Sequence, residues 1–345
     1  MAITIKDVAK QAGVSHSTVS RALHGSSLIS EETVERIRQI AVEMGYFPSA
    51  AARSLKTNRS HALGVIVSAI DDPFFSEILQ GIEEIAQGQG YSMLMAASQR
   101  DPERERAIVQ DMRERHVDGL ILCSASFSAE QRRNLLEYGI PIVMVNNQAA
   151  EEYRYSIYHD DVDGSRQVTR HLIELGHKRI AYLGNSLSGR TTLDRLTGFR
   201  QEMEAVGLVI PDEYILEVPG GGPEDGFSAS NRILDMPERP TALFCFNDML
   251  AIGVLQGLHS AGISVPGDIS VVGFDNIVFS AYTNPTLTTL EQPKRYIGAE
   301  AARLILGLLD RIEDKEAPDQ EIQKLKGRLL VRQSTAPPPI NLRQL

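Results

Sequence analysis

Two cysteines in 345 residues are too few for a disulfide scaffold. Cys123 and Cys245 each close a short apolar run, Leu120–Cys123 and Leu243–Cys245, which reads as buried strand residues kept as thiols in a reducing compartment. Tryptophan is absent, so any ring stacking falls to phenylalanine or tyrosine. No apolar run approaches the roughly 18 to 20 residues of a membrane span, and no signal-type apolar region opens the chain. A soluble cytoplasmic protein without a membrane partner is expected. The common catalytic signatures are missing too: there is no phosphate-binding Gly-x-x-x-x-Gly-Lys-Ser/Thr, no Gly-x-Gly-x-x-Gly after the first strand, no Gly-x-Ser-x-Gly and no His-Glu-x-x-His. Gly220-Gly-Gly-Pro223 comes nearest, but Pro223, Glu224 and Asp225 stand where N–H groups and a cation are wanted, so it reads as a plain loop. These gaps argue against an enzyme, and neither a cofactor nor a metal is expected.

What is present is unevenly spread. The net charge of −10 hides a basic head: residues 1–60 hold eight Lys/Arg against five Asp/Glu, a net +3, and the remaining 285 residues carry −13. Such a division favours phosphate contact by the head alone. Within it, Ile5, Val8, Ala9 and Ala12 share one helical face, Gly13 stops that helix, and Ser15 suits the N-cap of the next. The second helix, about His16 to His24, turns Val19, Ala22 and Leu23 inward and His16, Ser17, Ser20 and Arg21 outward. Two helices about a tight glycine turn match the helix-turn-helix unit, whose second helix enters the major groove of DNA. A third helix, Ser30 to Met44, supplies Val34, Ile37, Ile40, Ala41 and Met44 to close a small core.

Beyond the break at Gly45-Tyr-Phe-Pro48, the run Pro48 to Lys56 is built of good helix formers but is too short to hold alone. Leu55, flanked by Arg53, Lys56 and Arg59, suits a wedge between base steps; a linker with one incidental leucine has the same composition. Taken together, Thr4-Ile-Lys-Asp-Val-Ala, Gly13-Val-Ser-x-x-Thr18-Val-Ser-Arg21, Gly45-Tyr-x-Pro-x-x-Ala-Ala52-Arg-Ser-Leu55 and Leu63-Gly-Val-Ile66 resemble the N-terminal region of the LacI/GalR family of bacterial transcription regulators. The resemblance implies that the residue at Leu55 intercalates in the minor groove at the operator centre, and that hinge helices fold when two subunits meet on DNA. It also places His16, Ser17 and Arg21 at the bases, with Arg21 suited to a guanine. The expected DNA-contacting set is Thr4, Ser15, His16, Ser17, Thr18, Ser20, Arg21, Ala52, Leu55 and Lys56.

From Leu63 onward, short apolar runs alternate with helical patterns, which implies parallel sheets covered by helices. Two such units are expected, and by resemblance they form the two-lobed periplasmic-binding-protein-like fold. The expected division is a small all-α helix-turn-helix domain at 1–47, a hinge at 48–61, and an α/β body at 62–340. In the body, two doubly wound parallel sheets form lobe one (about 62–161 plus 293–324) and lobe two (about 162–292 plus 325–340). Ligands in such folds sit beyond the carboxyl ends of the strands. The strand ends carry Asp71, Asp72, Phe74, Phe75, Asn146, Asp160, Asn185, Asn247, Asp248 and Asp275, a set able to take neighbouring hydroxyls and cover a sugar ring.

By resemblance, Arg195-Leu-x-Gly-Phe199 and Gly273-Phe-Asp-Asn276 hold the effector through Arg195 and Asp275, and Asp72-Pro-Phe-Phe75 lines the other lobe. Thr191 and Asn247 join them, while Asn146 and Asp160 are placed by strand position alone. The expectation is a repressor acting as a homodimer on a palindromic DNA operator, with affinity set by a small molecule, a sugar or related metabolite. A sugar-acting enzyme or a solute-binding protein with a DNA-binding head are the rivals. The missing catalytic motifs weigh against the first and the missing export signal against the second.

Overall fold

The computed structural model describes residues 3–23, 26, 28–46, 59–123, 139–146, 154–314 and 320–339. Its contacts divide the chain into two units, Met1–His61 and Ala62–Leu345. The first unit holds α1 (Ile5–Ala12), α2 (His16–Leu23) and α3 (Glu31–Glu43). Thr4 fixes the start of α1, its amide and its hydroxyl both donating to Asp7 Oδ2 at 2.9 and 2.7 Å. Gly13 then ends the helix in the left-handed region at φ 68°, where a side chain would be strained. Ser15 restarts the chain as its Oγ accepts the amide of Thr18 at 3.1 Å, the N-cap role its position predicts. Val8, Val19, Ala22 and Ile37 are fully buried between the three helices.

The second unit begins with β1 (Ala62–Val67), α4 (Phe74–Gly88), β2 (Ser92–Ala97), α5 (Pro102–Glu114), β3 (Gly119–Cys123), β4 (Ile142–Val145) and β5 (Tyr155–His159). It continues with α6 (Asp161–Glu174), β6 (Ile180–Asn185), α7 (Arg190–Ala205), β7 (Ile215–Val218), α8 (Pro223–Leu234), β8 (Ala242–Cys245), α9 (Asp248–Ser260), β9 (Ser270–Asp275) and β10 (Thr288–Glu291). The last elements are α10 (Lys294–Asp314), β11 (Glu321–Leu325) and β12 (Arg328–Leu330). Two six-stranded sheets result, ordered β11-β5-β4-β3-β1-β2 and β12-β10-β9-β8-β6-β7. Central strands such as β3 and β8 are buried along their whole length, as parallel strands covered on both faces must be.

Within the described residues the chain crosses between these lobes three times: from β5 to α6, from β10 to α10, and from β11 to β12. The sheets are not wholly parallel. β12 runs antiparallel to β10, with Leu329 opposite Leu290, because the final crossing brings the chain back along the sheet edge in the reverse sense. Helices α4 and α10 touch backbone to backbone: a Cβ on Gly81 would lie 2.1 Å from the Arg295 carbonyl, and one on Gly298 would lie 2.0 Å from that of Ile78.

Candidate functional site

On the first unit, α2 presents His16, Ser17 and Arg21 to solvent while Val19 and Ala22 are buried. Thr18 and Ser20 are half-buried at the edges of that face, and Thr4 and Ser15 are exposed at the two helix starts. Ser15 also joins hydroxyls with Ser17 at 2.7 Å and Thr18 at 2.8 Å, so the start of α2 is a small hydroxyl cluster beside an exposed imidazole. Ala52, Leu55 and Lys56 lie outside the described residues.

In the second unit a cleft of about 160 Å³ is lined by Ser68, Asp72, Phe74, Phe75, Arg100 and Asn146 on one lobe. Asn185, Ser188, Thr191, Arg195, Asn247 and Asp275 line it on the other. Seven of the eight expected effector residues therefore meet around one space. Asp160 does not line it: its carboxylate caps α6, accepting the Asp163 amide at 3.0 Å, and pairs with Lys324 at 2.8 Å. The next residue is the one wired to the cleft. Asp161 Oδ1 accepts Arg195 Nε at 3.0 Å and lies 3.3 Å from His159 Nδ1.

Arg195 is the keystone of this wall. Its guanidinium lies 3.8 Å from the Phe274 ring centroid and 4.4 Å from that of Phe246, two cation–π contacts. It donates to Asp161, to the Phe246 carbonyl and, at 3.3 Å, to Asp275 Oδ1. Asp275 Oδ1 also accepts Gln292 Nε2 at 2.7 Å. Its second oxygen, Oδ2, accepts no hydrogen bond from the described residues. Burial pushes the Asp275 carboxyl up to about 6, against the pull of Arg195 and Lys294. Burial also raises Asp161, but Arg195 and His159 outweigh it, and that carboxyl ends below its ordinary value.

Opposite stand Phe74 and Phe75, edge to face at 5.2 Å, and Asp72, raised by its own burial. Asn146 reaches the cleft from a left-handed backbone at φ 59°, a conformation asparagine tolerates better than most residues. Asn247 has a second duty. Its Oδ1 caps α9 through the Leu250 amide at 2.9 Å and its Nδ2 donates to the Gly221 carbonyl at 3.1 Å.

Several members were hidden from sequence reasoning. Gln292, Lys294 and Asp161 lie where the chain changes lobes, and Arg100 follows β2 in a left-handed turn at φ 57°. A polar residue next to a short strand was their only signal. Among the described residues no group of His, Cys, Asp and Glu is placed to hold a metal, and no helix is long and apolar enough to cross a membrane.

Residues 4–49 match the family model described as bacterial regulatory proteins, lacI family, and residues 169–335 match that of a periplasmic binding protein-like domain. The HTH-type transcriptional repressor PurR of Histophilus somni is 36% identical over 332 residues, covering 96% of this chain and 98% of that one. The chain belongs to the LacI family of bacterial transcriptional regulators. PurR of Haemophilus influenzae is 35% identical over 340 residues, again with 96% and 98% coverage. Among solved structures, this LacI-family chain matches a lac repressor dimer bound to operator and the anti-inducer ONPF at TM-score 0.87 and 26% identity, covering 97% and 100% of the two chains. A LacI-family regulator from Enterococcus faecium with bound ribose matches at TM-score 0.70 and 30% identity over 80% and 99%. The CelR–cellobiose complex matches at 0.73 and 28% over 96% and 99%. The protein is an effector-controlled, DNA-binding transcriptional repressor and not an enzyme.

Proposed function

We propose that this repressor holds a palindromic operator as a homodimer and releases or grips it according to a sugar or closely related polyol in the cleft. In this reading His16, Ser17 and Arg21 face base edges, with Thr4, Ser15, Thr18 and Ser20 on the backbone beside them. Ala52, Leu55 and Lys56 act at the operator centre. Two-fold symmetry follows from the motif, since one helix-turn-helix reads only half a site.

The observation that carries the effector class is the Asp275 carboxylate, its Oδ1 held by Arg195 and Gln292, on the lining of a small cleft walled by Phe74 and Phe75. One carboxylate, several amides and hydroxyls, and an aromatic wall are what a compact ring bearing many hydroxyls requires. The cleft is smaller than the ~300–1,000 Å³ of drug-sized sites. Bound ribose in one relative and cellobiose in another favour the same class. A thermal-shift panel of pentoses, hexoses, nucleobases and amino acids, followed by calorimetry on Asp275→Ala, tests it. Stabilisation by a sugar that is lost in the variant is expected. Stabilisation only by a nucleobase or amino acid overturns the sugar assignment.

A further inference from the structure

The Lys294 ammonium is buried in the body, at 2% exposure, and belongs to neither the cleft lining nor a fold core. It sits at the first turn of α10, directly after the crossing from β10, with three N–H donors and one positive charge to place. It donates to the Asp275 carbonyl at 2.5 Å and to the Asn276 carbonyl at 2.9 Å, and it forms an ion pair with Glu77 Oε1 at 3.1 Å. The two carbonyls belong to lobe two, at the end of β9. Glu77 belongs to lobe one, on α4 just beyond Phe74 and Phe75. Because α10 and α4 meet through Gly81 and Gly298 with no room for a Cβ, Lys294 is rooted in lobe one while it grips lobe two.

The grip has a local cost that marks it as more than packing. Asp275 and Asn276 both stand at positive φ, 107° and 49°, a sparsely populated conformation for residues with side chains. That turn aims two successive carbonyls at one ammonium. On its far side, Asp248 Oδ2 accepts the Ile277 amide at 2.8 Å. The same turn carries the Asp275 carboxylate that faces the cleft.

We propose that Lys294 is a positioning residue that clamps the two lobes together, with Glu77 as its anchor, and that it sets both the lobe angle and the aim of Asp275. The clamp acts before any effector binds and is independent of the effector's class. It makes the 275–277 turn the point at which a guest in the cleft feels lobe movement, and lobe movement feels the guest.

Hydrogen exchange on the full-length protein without effector tests this. The variants are Glu77→Gln, which alters a half-exposed side chain, and Lys294→Met, which keeps length but removes the charge. Exchange at the crossings 160–164, 292–296 and 326–328 and at Asn276 and Ile277 is expected to quicken about tenfold in Lys294→Met and severalfold in Glu77→Gln. Amides of β1, β3, β6 and β8 keep wild-type protection. Unchanged exchange at the crossings in Glu77→Gln overturns the proposal, even if Lys294→Met fails to fold. Uniform loss of protection through β1 and β3 in Glu77→Gln also overturns it, because Glu77 would then support the fold and not the lobe angle.

Discussion

Arg195 commits most of its guanidinium inside the protein, to Asp161, Asp275 and the Phe246 carbonyl, with the Phe246 and Phe274 rings in cation–π contact. In the proposed function its main contribution is to hold Asp275 still, so that the carboxylate meets the effector. Two further residues carry predictions. Arg21, exposed on α2, is suited to guanine O6 and N7, so Arg21→Ala should cost about 1 to 3 kcal/mol and relax preference at one base pair. Competition binding on operator variants measures this, and an equal loss on every sequence makes Arg21 a phosphate contact instead. Asp248 is pushed up to about 8 by burial and then by the nearby Asp275 charge, despite donors from Thr289 and Ile277. Between about pH 4 and pH 8 the folded state therefore keeps a proton that the unfolded chain has released. The stability from this group is complete in acid and falls as pH rises toward 8. Asp248→Asn removes that slope, so denaturation at about pH 5 and about pH 8 should show a smaller loss in the variant. Equal losses mean that Asp248 is already ionised in the folded protein.

Helix pairs decide the architecture at the next scale, and they depend on small residues at contact points. Gly298 lies against the Ile78 carbonyl, where a Cβ would sit at 2.0 Å. Gly298→Ala must push α10 off α4 and should cost on the order of 1 to 3 kcal/mol, read as a lower midpoint in thermal unfolding; an unchanged midpoint means that the two helices separate freely. Elements of this kind were legible wherever apolar periodicity was strong, as in α1, β1, β3, α10 and the run into β8.

Four elements were not, the edge strand β11 (Glu321–Leu325) among them. β10 reads Thr288-Thr-Leu-Glu291, polar in composition yet buried over its first three residues, because Asp248 and Thr335 satisfy its hydroxyls. β5 hides in the same way, with Ser156 and His159 inside. The glycine run before α8 reads as loop, but the loop stops at Pro223, the first helical residue. The acids that argued against a phosphate site, Glu224 and Asp225, occupy the first turn of α8, where the helix dipole favours them. The site was legible in its strand-end residues and illegible at the crossings. Asp160 and Asp161 are both acids after β5, and only the start of α6 decides which one turns inward.

At the scale of the whole molecule, a basic three-helix unit and an acidic two-lobed body are parts of one chain of the LacI family. If effector occupancy changes operator affinity by some factor, operator occupancy must change effector affinity by the same factor. Salt should weaken operator binding steeply, as phosphate contacts release counterions. In the proposed function the head reads a symmetric DNA site with the sequence specificity of a repressor. The most direct test is an anisotropy titration of full-length protein against an inverted-repeat duplex recovered by random-sequence selection, beside a scrambled duplex at the same salt. A preference on the order of 10³-fold or more for the inverted repeat is expected. Equal affinity for the two duplexes would contradict that reading.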